Sequence, residues 1–217
     1  MQLDKCLLEK RGCKDYLSRK IPLDILGEIL EAGTCAPSAG NLQNWSFVVV
    51  DDEEKKEALS LACLNQNWMN KAPIHIVICN DIKKITDVYP TRGRLYATQA
   101  CSIAAQNIML KAADVGLHTC WVGAFNEEGV RRVLTIPEDI IPEMVITLGY
   151  SDAPYKELIR DPCETVTFFN TYGKREKGDE GMFPLDKHGK DFGKSIHSLA
   201  ERQHQSGGFF KKLFKKR

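Results

Sequence analysis

The sequence predicts an α+β fold, a sheet flanked by helices, and three observations carry that prediction. Apolar residues recur at helical spacing in some windows and as short continuous runs in others. The two kinds of segment mix along the chain without the regular strand–helix–strand alternation of a parallel sheet. Of the 217 residues 43% are hydrophobic, enough to form a real core in one large domain or two small ones.

Taken in order, residues 2–9 predict a short helix that runs into a charged turn, KRGCKD. After Pro22, a residue suited to a helix start, Leu26, Ile29, Leu30 and Gly33 fall on one helical face. That helix leads into the loop APSAGN. Phe47–Val50 predicts a strand, and DDEEKKEALSLA then opens a helix with acids in its first turn, as the helix dipole favours. Ile74–Cys79 predicts a buried strand. Residues 92–115 predict the longest helix, with Leu95, Ile103, Ile108, Leu110 and several alanines, ended by Gly116. Alanine-rich faces let helices approach closely, so this one is the expected central packing helix. CWVGAF predicts a strand or tight extended turn, EEGVRRVL a helix, and Met144–Leu148 a strand. Beyond Tyr172 the composition turns rich in glycine and charge, which predicts an irregular arm over 174–217 after a domain of 1–173.

Composition excludes more than it selects. A net charge of +1 gives no global reason to expect a nucleic acid or an acidic partner, and the basic residues outside the C-terminal tail are balanced by acids. The eight cysteines include no C-x-x-C pair and the histidines do not cluster near them, so buried reduced thiols are expected rather than a metal site. The N-terminal MQLDKCLLEKRG has no apolar signal core, and no stretch approaches the length that crosses a bilayer, so a cytoplasmic, soluble chain is expected.

Three segments can carry chemistry. KRGCK places Lys10, Arg11 and Lys14 within five residues, with Gly12 between them to admit a ligand to the backbone. Guanidinium and ammonium donors suit a phosphate, although a solvated basic turn has the same composition. APSAGN brings Pro37, Ser38 and Asn41, a rigid bend, a hydroxyl and an amide, to the end of a helix. The amide suits the edge of a heteroaromatic ring, and the same residues also make a helix-stop turn. In HTCWVGAF, Gly123 and Ala124 bare the backbone after Val122, which either admits a flat ligand or makes a strand bulge.

In their order, these segments resemble the nitroreductase-like flavoprotein family, whose members bind FMN. Lys10-Arg11-Gly12-Cys13-Lys14-Asp15-Tyr16 is similar to the family's opening R-R-S-x-R-x-[FY], and Ala36–Trp45 is close to its A-P-S-A-x-N-x-Q-x-W. AAQNIMLKAADVGLHTCWVGAF resembles its long helix followed by G-L-G-T-x-W-x-G, and the closing IRDPCETVTFFNTYG its C-terminal R-x-P segment. The likeness covers residues 5–173. It implies a mostly antiparallel sheet and an intertwined homodimer with FMN at the interface. It also implies that Lys10, Arg11 and the Gly12 backbone hold the phosphate together with Arg160, and that Lys14 sits by the pyrimidine edge of the ring. Pro37, Ser38 and Asn41 would close over the flavin from the partner subunit, while Val122, Gly123 and Ala124 would lie along the ring.

The chain departs from the family pattern at four positions. Gly12 stands for the usual Ser, Lys10 for the first Arg, Asn44 for a common Pro and Ala100 for a common Asp. The implied activity is NAD(P)H-dependent reduction of nitroaromatics, quinones or similar flat acceptors in a ping-pong cycle, with Lys14 favouring the reduced flavin. Dehalogenation, flavin breakdown, or a flavin-binding sensor without turnover are the alternatives, and residues 80–95 or the arm are the candidate lids. In the tail, Phe209, Phe210, Leu213 and Phe214 share a helical face with lysines and Arg217 elsewhere, a pattern suited to weak contact with an anionic membrane surface.

Overall fold

The computed structural model describes residues 3–154 and 160–174. The chain forms two compact units, Met1–Lys156 and Glu157–Arg217. The C-terminal tail and most of the charged arm lie outside the described residues.

The first unit is built on a four-stranded sheet in the order β1-β2-β4-β3, with β1 at Trp45–Val50, β2 at Ile74–Asp81, β3 at His118–Val122 and β4 at Ile140–Gly149. All three pairings are antiparallel, with Trp45 opposite Asn80, Ile74 opposite Leu148, and Val122 opposite Val145. An irregularity at Ile78/Cys79 shifts the β2–β4 register by one. The predicted α+β class and antiparallel sheet are what is observed. Each predicted strand is present, and β1, β2 and β4 extend beyond the predicted bounds because polar and proline residues at their ends still join the ladder.

Helices cover both faces of this sheet. Alternation along β2 and β4 sends Ile74, Ile76, Ile78, Met144, Ile146 and Leu148 to one face, where they meet α2 (Leu23–Thr34) and α5 (Gly93–Asp114). Val77, Cys79 and Val145 face the other side, against Leu59 of α3 (Glu53–Ala62), Cys63 just after it and Val130 of α6 (Glu127–Leu134). β2 is therefore buried on both faces, which is why its sequence reads as a continuous apolar run.

The packing of α2 on α5 depends on small residues. A Cβ at Gly33 would come within 2.9 Å of Ile108 Cγ1, so only glycine lets the two helices close. The buried face of α5 is largely alanine (Ala97, Ala100, Ala104, Ala105 and Ala112), whereas Leu95 and Ile103 are exposed. Of the larger residues expected to drive its packing, Ile108 is the one wholly buried. Asp52, Asp81 and Asn126 cap α3, α4 (Ile82–Thr86) and α6 by accepting from Lys55 N, Lys84 N and Gly129 N. The short α1 (Leu3–Glu9) opens the chain, and α5 ends where Gly116 takes φ 79°. In the second unit, Cys163–Val166 forms a one-turn helix, α7, and the rings of Phe168 and Tyr172 pack 4.7 Å apart.

Six cysteines are buried, among them Cys63, Cys79, Cys101 and Cys120. Burial pushes the Cys63 and Cys101 thiols up to about 12 and Cys79 to about 11, so they remain protonated packing groups. Among the described residues no helix is long and apolar enough to cross a membrane.

Candidate active site

The cationic turn lies along the free edge of β3. Gly12 forms a parallel bridge with Thr119, and Cys13 N donates to Thr119 O at 2.9 Å. Just beyond, Cys13 and Tyr16 are buried and anchor the turn. The Tyr16 hydroxyl donates to Cys13 O at 2.8 Å and lies 2.7 Å from Thr147 Oγ1 on β4. Burial raises the Tyr16 phenol far above its usual range, so it stays neutral. This anchoring leaves Lys10 and Arg11 half-buried and Gly12 and Lys14 exposed. Arg11 Nη1 donates to Lys10 O at 2.8 Å, and Lys14 Nζ sits 5.1 Å from the centre of the Trp68 ring. The Cys120 thiol is raised by burial against the opposing charges of Lys14 and Lys10, so both cations act on this edge.

At the far end of β3, Val122 is buried while Gly123 and Ala124 follow the strand and are exposed. Of the two readings of this segment, the strand ends before Gly123 instead of bulging there, and the backbone is bare. Sequence reasoning did not single out the turn that borders it, Leu64–Trp68. Gln66 Nε2 reaches Ala124 O at 3.5 Å, Asn126 N donates to Ala62 O at 2.8 Å, and Trp68 carries Lys14. Leu64 and Asn65 both take positive φ, 60° and 57°. The available signal was a cluster of amides, LNQNW, because asparagine tolerates the left-handed region that such a turn requires.

The residues present fit FMN. Gly123 lies four residues along the strand from Thr119, the partner of Gly12, a span of about 13 Å at strand rise. Cations with accessible backbone therefore stand at one end of this edge and bare, flat backbone at the other, separated by roughly the length of a flavin mononucleotide.

The loop APSAGN stands at the other edge of the sheet. It enters β1, and β1 and β3 are the two outer strands. Ala39–Asn41 forms a single 3-10 turn, with positive φ at Gly40 (58°), Asn41 (55°) and Gln43 (50°). Side chains of the loop hold this shape. Ser38 Oγ accepts from Gln43 N at 2.9 Å, Gln43 Nε2 donates to Asn41 Oδ1 at 3.3 Å, and Lys84 Nζ donates to Gln43 O at 3.2 Å. The Ser38 hydroxyl proton and the Asn41 amide N–H₂ are what the loop can still offer a ligand. Within one chain, then, the structure gathers Lys10, Arg11, Gly12, Lys14, Val122, Gly123 and Ala124 along one edge but not Pro37, Ser38 and Asn41. Arg160 is exposed and belongs to the second unit.

The departures from the family pattern have visible consequences. Asn44 is buried and ties three elements together: its amide donates to Asn80 Oδ1 on β2 at 2.6 Å and to Ala97 O on α5 at 3.1 Å. Asn80 in turn donates to Glu143 Oε1 at 2.6 Å, which also accepts from Thr98 Oγ1 at 3.0 Å. Ala100, buried on α5, lines a shallow 190 Å³ cavity with Pro37, Ser38, Ala39 and Tyr96. Gly12 needs no special backbone, and a Cβ there would meet Cys120 Sγ at an ordinary 3.6 Å, so its lack of a side chain is a change of chemistry and not of shape.

Known proteins agree with this architecture. The model of the Nitroreductase family matches residues 7–68 and 60–150. A protein of Methanothermobacter thermautotrophicus, provisionally named an NADH dehydrogenase/NAD(P)H nitroreductase, is 34% identical over 156 residues, covering 69% of this chain and 78% of its own. An FMN reductase [NAD(P)H] of Bacillus subtilis is 26% identical over 182 residues, covering 77% and 73%. Among solved structures, an FMN-dependent nitroreductase from Clostridium difficile superposes with a TM-score of 0.67 at 30% identity, over 77% of this chain and 98% of that one. With its sequence matched by the family model and by a relative 34% identical, this chain belongs to the nitroreductase family.

Proposed function

We propose that the protein is an FMN-dependent oxidoreductase that takes electrons from NADH or NADPH and reduces flat acceptors such as nitroaromatics or quinones. The observation that carries this reading is the β3 edge, where Lys10, Arg11 and the Gly12 backbone stand about 13 Å, four residues of strand, from the bare Gly123–Ala124 backbone. Bound FMN would supply the hydride chemistry in a ping-pong cycle, so few catalytic side chains are required of the protein.

The chain's own residues bind, orient and polarise. Lys10 and Arg11 offer charge-assisted hydrogen bonds to a phosphate. The exposed backbone at Gly123 and Ala124 lets a ring lie flat. Lys14 places an ammonium where negative charge gathers on the reduced cofactor, and so favours reduction. The Lys14→Ala protein is expected to show a more negative flavin potential in spectroelectrochemical titration, and an unchanged potential would remove that role from Lys14.

A second copy of the chain would complete the site, since Pro37, Ser38 and Asn41 lie at the opposite sheet edge from Gly12. The exposed apolar residues Leu3, Leu7, Leu95 and Ile103 support such an association. The deciding experiment is anaerobic addition of NADH or NADPH to the purified yellow protein. Bleaching of the flavin band is expected. A protein that holds flavin but is not bleached is a binder, and a protein that never holds flavin overturns the reading altogether.

A further inference from the structure

The residue that holds Lys14 lies outside the cationic turn. Lys14 has a long side chain and is exposed. Left to water, such a chain samples many rotamers, so an ammonium that acts at one place needs something to fix it. Its neighbour Asp15 is engaged by Lys71 Nζ at 2.8 Å, and among the described residues Lys14 forms no ion pair. Its ammonium lies instead over the Trp68 ring, 5.1 Å from the centre. Indole is the aromatic face that attracts a cation most strongly, and this distance is inside the ~6 Å over which the attraction acts.

Trp68 is mounted firmly enough to fix its partner. It belongs to a 3-10 helix, Asn67–Lys71, and is half-buried against two groups of core residues. One group includes Leu59 and Met69; the other is Cys13, Tyr16 and Ala72. The indole therefore packs against the cluster that anchors the chain on either side of Lys14. The 3-10 helix is fastened as well. Met69 is fully buried, its carbonyl lies 3.0 Å from His75 Nε2, and Ala72 O accepts from Lys56 Nζ at 3.1 Å. The Lys71–Asp15 pair adds a second link between the two turns. The turn that carries Lys14 keeps anchors of its own, because the Tyr16 hydroxyl meets Thr147 Oγ1 at 2.7 Å and Cys13 N donates to Thr119 O at 2.9 Å. Loss of the indole should thus free the Lys14 side chain while its backbone stays in place.

On the FMN reading above, on which this rests, we propose that Trp68 is a positioning residue: its ring holds the Lys14 ammonium where it favours the reduced cofactor, and so sets the flavin potential through Lys14. The two residues then act as one unit. Loss of either shifts the potential in the same direction, and loss of both does not add. A residue that only packed the turn would change stability and leave the potential alone.

The test is spectroelectrochemical titration of the FMN-loaded, full-length protein as wild type, Trp68→Phe, Trp68→Leu, Lys14→Ala and Trp68→Leu/Lys14→Ala. Trp68→Leu is expected to weaken the preference for reduced over oxidised flavin about two- to fivefold, the range of an exposed cation–ring contact, which is a shift of ~10–20 mV to more negative potential. Trp68→Phe keeps a smaller ring face and should fall between the wild type and Trp68→Leu. The double variant should be no more negative than Lys14→Ala. A wild-type potential in Trp68→Leu overturns the proposal, and so does an equal shift on adding Trp68→Leu to Lys14→Ala, which would mean that the indole acts on the flavin directly. Should Trp68→Leu fail to fold, Trp68→Phe decides: a potential between wild type and Lys14→Ala supports the role, and the wild-type value overturns it. A chain that never holds flavin overturns the FMN reading and this role with it, whereas unchanged potentials in a yellow protein overturn this role alone.

Discussion

The two edges of the sheet carry candidate residues in opposite ways. At the β3 edge the backbone is anchored from below, by Tyr16 and the Gly12–Thr119 bridge, while Gly12 and Lys14 stay exposed. At the β1 edge the polar side chains are turned back on their own loop. Ser38, Asn41 and Gln43 bond one another, and Asn44 is locked inside by Asn80 and Ala97. The first edge leaves cations and backbone within reach of a ligand; the second spends its polar groups on holding the shape of its own loop. A polar residue in a motif can thus serve the ligand or serve the loop, and only its hydrogen-bond partners distinguish the two.

That contrast can be broken by substitution, because changes at the β3 edge should alter flavin retention and changes at the β1 edge should alter stability. The largest expected effect is at the cations. Lys10→Ala/Arg11→Ala removes charge-assisted contacts worth ~1.5–3 kcal/mol each, so FMN affinity by fluorescence quenching should fall about a hundredfold or more. Unchanged affinity would show that the edge grips nothing.

Next comes the sheet from which both edges hang. His75 is fully buried on β2, its Nε2 lying 3.0 Å from Met69 O, and desolvation lowers its pKa from 6.5 to about 4. Between those values the unfolded chain binds the extra proton and the folded chain does not. Stability should therefore fall as pH drops from about 6.5 toward 4, by up to about 3 kcal/mol, measured as the shift in urea midpoint between pH 7 and pH 4. His75→Gln should flatten that dependence.

At the β1 edge, Asn44→Ala leaves Asn80 Oδ1 and Ala97 O without their donor, and should lower unfolding free energy by about 2 kcal/mol. A loss of flavin larger than the loss of stability would mean that this edge also grips directly. The smallest effect is at Gly12. Because a Cβ fits there at 3.6 Å from Cys120 Sγ, Gly12→Ser should restore a hydroxyl donor and tighten FMN by roughly 1 kcal/mol, about fivefold. Weaker binding would show that the bare backbone is itself the contact.

Much of the fold was legible because its signals are local. Among the described residues, short apolar runs and helical spacing located the four strands and the five longer helices. Gly116 marked the end of α5, and EEGVRRVL was read at its observed bounds, Glu127–Leu134. α4 was missed, since five residues cannot show a helical period and its start is marked only by the Asp81 cap. The exposure of Leu95 and Ile103 was illegible for a different reason. The seam between α2 and α5 closes on Gly33 and alanines, and the larger apolar residues are left outside it. In the site, the cationic turn and the Gly123–Ala124 backbone were legible from residue type, but the Leu64–Trp68 turn that borders them was not. Its part rests on two positive-φ residues and a contact between positions 58 apart, Gln66 and Ala124.

The sequence alone determined most of the secondary structure, the family and the identity of the charged groups, because each of these is written in residue type and short-range spacing. Only the tertiary structure decided that Gly12 and Gly123 share one strand edge and that APSAGN lies at the opposite one. It also decided that the Ser38 oxygen and the Asn44 amide nitrogen are committed to the protein. The physical reason is that hydrogen-bond partners and burial are set by strand order, β1-β2-β4-β3, and strand order joins segments that are distant in the chain.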